Sequence, residues 1–279
     1  MVWQDLCVHR GTRLSLGHVD GALLQCGYHG WTYNSTGACV RIPAHPEQRP
    51  PPKARVKAYH AKVGYGLIWA SLGDPAAGLP PFPEWDDPSY RKISCGPFAY
   101  KAGAPRAMEN FLDVGHFPFV HEGLLGDPGH AQIEDYDVES TPDGILATGV
   151  RVWQPDPDGS GVGRYVNYTY GVRRPFTAYF SKESSNGETY MIQLNVTPVD
   201  ELRCIAWMTI GMNYGFDAPE GELRAFQEKI VDQDIPVVES QRPERLPLDL
   251  QAELHLRSDR IAVAYRKWIR QAGLSFGTS

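Results

Sequence analysis

Cysteine is scarce in this chain. Its 279 residues include five, Cys7, Cys26, Cys39, Cys95 and Cys204, an odd and widely spaced set that excludes a small secreted disulfide scaffold. A reducing cytoplasm is the expected location, and there thiols stay available as thiolate ligands. Long apolar runs are missing as well. The most apolar stretch, Val63 to Leu72, is far shorter than the roughly 20 residues of a membrane-spanning helix. The opening Met1-Val2-Trp3-Gln4-Asp5 has neither the basic start nor the apolar core of a signal peptide, so no membrane association is expected. Basic charge is not in excess either. With 27 Lys and Arg against 33 Asp and Glu, the net charge is -6, which offers no field for phosphate backbones, and nucleic acid is not an expected partner.

What is present suffices for two domains, since the 42% apolar content is ordinary for a chain that buries one or two cores. Up to about Leu72, short β-branched runs alternate with turn signals at Gly17 to Gly21, Asn34 to Gly37, Gly64 and Gly66, the pattern of a small all-β domain. Prolines crowd residues 42 to 53, which read as a surface loop before strands at Arg55 to His60 and Lys62 to Leu72. A second proline-rich passage, Gly78 to Pro88, separates domains expected at 1 to 80 and 81 to 279. Beyond it a helical signal covers Pro105 to Val120, five β-rich runs follow near 132–140, 144–154, 164–172, 188–198 and 202–213, and helices close the chain at about 219–241 and 256–272. This order implies an α+β domain in which a curved antiparallel sheet wraps a long helix.

Two constellations carry chemistry. The first is Cys7-Val8-His9 with Cys26-Gly27-Tyr28-His29, a C-x-H and a C-x-x-H pair in the β-rich region. Two thiolates can hold one iron and two imidazoles the other, a ligation that raises a [2Fe-2S] cluster's potential above that of an all-cysteine cluster. A structural zinc site would accept the same four residues, although zinc fingers tend to group cysteines with cysteines. Here each pair is mixed and followed by glycine, at Gly11 and Gly30, where tight loops can aim backbone N–H groups at the sulfur ligands.

The second runs from Glu109 to His121. Asn110, Asp113 and His116 fall at i, i+3 and i+6, one stripe of a helix. On an unbroken helix His116 and His121 would point about 140 degrees apart, so a bend at Pro118 is expected to bring them together. A facial triad needs a carboxylate. Of Asp232 and Asp234, only Asp234 shares the apolar stripe of Leu223, Phe226, Ile230 and Val237, where a lone carboxylate is costly unless it meets a cation. The competing reading has His116 and His121 as hydrogen-bonded core histidines and Asp234 as a salt-bridge partner. A zinc-protease H-E-x-x-H at His121 fails, because residue 125 is Leu.

Together these residues resemble the large subunit of Rieske non-haem iron oxygenases, whose pattern C-x-H, C-x-x-H, N-x-x-D-x-x-H-x(4)-H and a late aspartate is met at every position. Asp234 to Glu239 is similar to the segment around that aspartate in the branch of vanillate and dicamba O-demethylases. The resemblance implies that Cys7, His9, Cys26 and His29 ligate a [2Fe-2S] cluster, and that His116, His121 and Asp234 ligate a mononuclear Fe(II). It makes Asp113 the bridge between a cluster histidine, His29, and an iron histidine of the neighbouring subunit in a ring, a homotrimer. Asn110 would lie near that bridge, or serve as a surface or capping amide.

The same resemblance implies a Rieske domain followed by a helix-grip catalytic domain. It also implies a separate reductase, a flavin and/or ferredoxin protein passing electrons from NAD(P)H, and insertion of oxygen from O2 into a small aromatic or methylated substrate, by demethylation or ring hydroxylation. Trp153, Phe180, Ile192 and Trp207 are candidate pocket walls, or plain core. Gly27 replaces the proline usual after the second cysteine. Only six residues precede Cys7 where the family has several strands, so the small β-domain is expected to be truncated, through a start assigned too late or because the chain is a fragment. Two rival functions remain: a noncatalytic Rieske-type electron carrier, which leaves His116, His121 and Asp234 unused, and a zinc-stabilised module that holds a small molecule.

Overall fold

The computed structural model describes residues 1–157, 159–183 and 187–279, which form two compact units, Met1–Leu79 and Pro80–Ser279. The first is all β. Strands β1 (Val2–Trp3), β2 (His18–Asp20), β3 (Leu23–Gln25), β4 (Thr32–Tyr33), β5 (Cys39–Arg41), β6 (Ala58–Gly64) and β7 (Leu67–Ser71) make a three-stranded sheet, β1-β6-β7, and a four-stranded one, β2-β3-β4-β5. Its small core includes Cys7, Leu14, Cys26, Tyr33, Cys39, Ile42 and Val56. The β6–β7 hairpin turns at Tyr65 and Gly66, not at Ala61 as the strand signals suggested. Both turn residues have positive φ, 57° and 71°, the two-residue geometry that matches strand twist.

The second unit contains α1 (Pro83–Asp86), β8 (Arg91–Tyr100), α2 (Ala104–Leu112), α3 (Phe117–Val120), β9 (Asp137–Thr141), β10 (Gly144–Gln154), β11 (Arg164–Arg174), β12 (Thr177–Glu183), β13 (Thr189–Asp200), β14 (Arg203–Met212), α4 (Glu220–Ser240) and α5 (Arg260–Gln271). A curved antiparallel sheet of seven strands runs β8-β14-β13-β12-β11-β10-β9. The α+β expectation holds, with two strands that the sequence patterns missed. β8 hides behind Gly96 and Pro97, which sit at a register shift opposite Ala206 and Met208. Proline is tolerated there because β8 is an edge strand. β12 follows Arg174-Pro175 and carries Tyr179 and Phe180 side by side, which blurs its alternation. Helix α2 lies across β12 to β14, α4 packs on β8, and α5 on β9 and β10. Among the described residues no helix is long and apolar enough to cross a membrane.

The helical signal over Pro105 to Val120 resolves into two helices, and the break comes earlier than Pro118. Asp113 is extended, at φ -84° and ψ 136°. Pro118 instead occupies the first turn of α3, where its missing N–H costs nothing.

A buried ion network anchors α2. Arg266 of α5 donates to both carboxylate oxygens of Glu109, at 2.6 and 2.7 Å, and to Glu253 at 2.5 Å. Arg106 donates to the other oxygen of Glu253 at 2.7 Å and to the Pro243 carbonyl. Both arginine side chains are 3% exposed.

Candidate metal centres and cavity

In the first unit, residues 7–12 and 26–31 form two loops with the same hydrogen bonds. The Cys7 N–H donates to Thr12 and the Gly11 N–H to the Cys7 carbonyl; the Cys26 N–H donates to Trp31 and the Gly30 N–H to the Cys26 carbonyl. Gly11 and Gly30 take φ of 73° and 69°, a conformation that suits glycine. The loops bury Cys7 and Cys26 and set the His9 and His29 rings edge to face, 4.6 Å between centroids. His9 Nδ1 is buried without a hydrogen-bond partner, as expected of an atom meant for a metal. Burial lowers the His9 pKa, helped by the charge of His29, which favours the neutral imidazole that ligation requires. Tyr33 Oη lies 3.1 Å from Cys7 Sγ, in position to donate to a thiolate.

Among the described residues, only His116, His121 and Asp234 place three ligating atoms within 4.8 Å of one another. The four residues of the first unit therefore do not form a cage for one zinc ion. Their two paired loops instead fit a binuclear cluster with a ligand pair on each iron.

In the second unit, His116 ends the α2–α3 break, His121 caps α3, and Asp234 lies on the inner face of α4. His116 Nε2 and His121 Nε2 are 3.2 Å apart, and Asp234 Oδ1 lies 3.4 and 3.2 Å from them. Donors about 2.1 Å from one divalent ion stand about 3.0 Å apart at right angles and about 3.4 Å apart in a tetrahedron. The triangle therefore fits a single ion with one face uncovered. Burial opposes the Asp234 charge, but hydrogen bonds and charge from His116 and His121 outweigh it and hold the pKa at about 2. At His116 burial opposes the cation, and Asp113 and Asp234 more than compensate, raising its pKa to about 9. The apolar stripe of α4 differs in part from that read in the sequence. Phe226 and Val237 are exposed, and the buried face runs through Gln227, Ile230, Val231, Asp234 and Val238. Asp232 is exposed.

Asp113 Oδ2 accepts the His116 Nδ1–H at 2.9 Å, while its Oδ1 accepts the Gly115 N–H. Burial is the largest single influence and raises the Asp113 pKa, but the hydrogen bond and charge of His116 together with the backbone N–H groups of Gly115 and His116 outweigh it and lower the pKa overall. Asn110 reaches the triad, with Nδ2 donating to Asp234 Oδ1 at 3.3 Å. Gln233, which no sequence spacing singled out, accepts the His121 Nδ1–H at 2.9 Å. That bond leaves the Nε2 lone pair directed at the site. Gln233→Leu is expected to weaken iron binding by about 10–100-fold without altering the cluster's absorption; iron titration of the stripped variant checks it.

Beside the triad opens a cavity of about 540 Å³, lined by aromatic and aliphatic side chains including Phe111, Phe180 and Ile192. Of the four wall candidates, Phe180 and Ile192 line it, whereas Trp153 and Trp207 do not. Gln154, Ala206 and Met208 face the cavity, so strand alternation turns their neighbours Trp153 and Trp207 to the other face. Trp153 stacks there on His130 at 4.1 Å.

A family model described as the vanillate O-demethylase oxygenase C-terminal domain matches residues 100–274, and one described as the Rieske [2Fe-2S] domain matches residues 1–60. Methylxanthine N1-demethylase NdmA of Pseudomonas putida is 32% identical over 281 residues, 96% of this chain and 76% of that protein. A solved structure of NdmA from Pseudomonas putida CBB5 superposes with a TM-score of 0.82 at 31% identity, covering 96% of this chain and 76% of that one. Dicamba monooxygenase bound to dicamba shares the fold, with a TM-score of 0.80 at 24% identity over 96% of this chain and 85% of that one.

Proposed function

Because the chain belongs to the Rieske non-haem iron oxygenases of the vanillate and dicamba O-demethylase type, we propose that it strips N- or O-bound methyl groups from a small planar substrate. The observation that carries this reading is the uncovered face of the His116, His121 and Asp234 triangle beside an apolar cavity of about 540 Å³, a volume suited to a small molecule. An electron carrier or a zinc-held binding module would leave that triangle without a use.

Cys7, His9, Cys26 and His29 would hold the [2Fe-2S] cluster, and His116, His121 and Asp234 would hold the iron. When bound, the cluster relays single electrons and the iron activates O2, so that one oxygen atom enters a C–H bond. The protein's part is positional. Gln233 and Asp113 accept hydrogen bonds from the Nδ1–H groups of His121 and His116, which would leave both Nε2 atoms as ligands. Asn110 steadies Asp234. The aromatic walls keep the methyl group against the triad and bulk water away. Oxygen insertion into the methyl C–H bond gives a hydroxymethyl group, which splits to formaldehyde and the demethylated product; the second oxygen atom leaves as water with two electrons and two protons.

Those electrons come from NAD(P)H through a separate reductase, a flavin and/or ferredoxin protein. Part of the Asp113 side chain stays accessible, at 35% exposure, open to His29 of a neighbouring copy in a homotrimeric ring. The five cysteines are all free, which suits the cytoplasm. The test is formaldehyde release from N- and O-methylated aromatics by the iron-loaded protein with reductase and NADH. Ring-hydroxylated products without formaldehyde would overturn the demethylase reading.

A further inference from the structure

The two ligand loops of the first unit share their backbone hydrogen bonds but end on different side chains. Thr12 and Trp31 are counterparts, each supplying the carbonyl that accepts the cysteine N–H of its own loop. Only the second loop ends on an aromatic residue. The Trp31 ring lies flat on His9 of the other loop, with centroids 4.5 Å apart and planes 6° apart.

Trp31 therefore holds both loops at once. Its carbonyl accepts the Cys26 N–H at 2.9 Å, its ring covers His9, and its side chain packs against the small core of the unit. The chain on either side fixes where the indole goes. A Cβ at Gly30 would come within 3.0 Å of the Pro43 ring and 3.2 Å of the Gln25 amide, so that turn is closely boxed. On the other side Thr32 is buried in β4 and donates to the Gly30 carbonyl at 3.1 Å.

The two imidazoles are left in different surroundings. His9 is half-buried with one face under the indole, whereas His29 is exposed and meets His9 edge to face. Tyr28, itself exposed, is tilted by 40° against His29 and gives no such flat cover.

We propose that Trp31 is a positioning residue for the [2Fe-2S] cluster and lowers its reduction potential by covering His9. The proposal rests on the reading of Cys7, His9, Cys26 and His29 as cluster ligands. Reduction adds one negative charge to the cluster and its ligands. The face of an aromatic ring is itself negative, and a ligand shielded from water loses solvation that would stabilise the added electron. Both influences oppose reduction, so removing the indole raises the potential. The stack also fixes the plane of the His9 ring and so the direction of its buried Nδ1, which has no hydrogen-bond partner.

The experiment is an anaerobic redox titration of the full chain carrying its cluster, followed by absorption and by electron paramagnetic resonance of the reduced state. Trp31→Leu is expected to favour reduction about tenfold, which is about 59 mV for one electron. Trp31→Phe is expected to favour it by less, about twofold or more, because it keeps a ring with a weaker face. Val56→Ala is the control for loosened packing, since it trims a buried side chain of the same core; it should lower Tm and leave the potential unchanged. A wild-type potential in Trp31→Leu with its cluster intact overturns the proposal, and so does an equal rise in Val56→Ala. If Trp31→Leu retains no cluster, Trp31→Phe decides: a raised potential upholds the proposal and a wild-type one overturns it. A wild type without a Rieske signal removes the cluster reading itself, whereas a wild-type signal with unshifted variants removes only the role of Trp31.

Discussion

Asp234→Ala is expected to abolish substrate-dependent oxygen consumption while leaving the cluster spectrum intact. The carboxylate supplies the only anionic donor of the triangle, 3.2 and 3.4 Å from the two imidazoles. Losing a direct ligand should weaken iron binding by more than the 10–100-fold typical of a supporting residue, so the purified variant should carry about two irons per chain in place of about three. Asp234→Asn should behave similarly, since it keeps the shape and removes the charge. Asp232→Ala is the control: that side chain is exposed on the same helix, and its loss should leave iron content and turnover unchanged. Full oxygen consumption in Asp234→Ala would remove this residue from the metal site.

Arg266→Met is expected to cost about 3–5 kcal/mol of stability, the usual effect of removing one partner from a buried ion network. For a unit of this size that lowers Tm by about 10 °C. The guanidinium bridges Glu109 of α2 and Glu253, so its removal strands two carboxylates with only Arg106 between them. Arg106 lies 3.6 Å from Glu109 and 2.7 Å from Glu253.

The network also sets an acid limit. Burial works against the Glu253 charge, but hydrogen bonds from Arg106 and Arg266 outweigh it and hold the pKa below its ordinary 4.5. A carboxylate with a depressed folded pKa contributes fully above its unfolded value, and that contribution fades as the pH drops through the folded one. Thermal melts of the wild type from pH 7 down to 3 should therefore show a loss below about pH 4.5 that Arg266→Met shows less of. A variant melting within about 2 °C of wild type would mean the network is not structural.

The proposed ligands were legible because metal chemistry fixes both residue type and order. C-x-H, C-x-x-H and the two histidines stand out in a single sequence, and Asp234 followed from the stripe of α4 even though two members of that stripe, Phe226 and Val237, are exposed. The supporting groups were not legible. Gln233 sits next to a ligand, yet nothing in its spacing says that its amide meets His121, since that contact depends on how α4 and α3 pack. The Arg106, Glu109, Glu253 and Arg266 network joins residues far apart in the chain and has no local pattern. In the fold, strand β8 was lost behind an edge proline, and the helix break at Asp113 behind a later and more conspicuous proline at 118. Pattern reading locates breakers and ligands; it does not see which buried groups complete each other.

The ligands of the triad come from the α2–α3 segment and α4, whereas Tyr168, Tyr170, Phe180 and Ile192 of the cavity wall belong to strands β11 to β13. Part of the cavity wall thus lies on a different stretch of chain from the triad, while Phe111, Phe117, Gln227 and Ile230 line it from the triad's own helices. The strand-borne part of the wall can therefore be varied, or randomised in a library, without touching His116, His121, Asp234 or the side chains hydrogen-bonded to them.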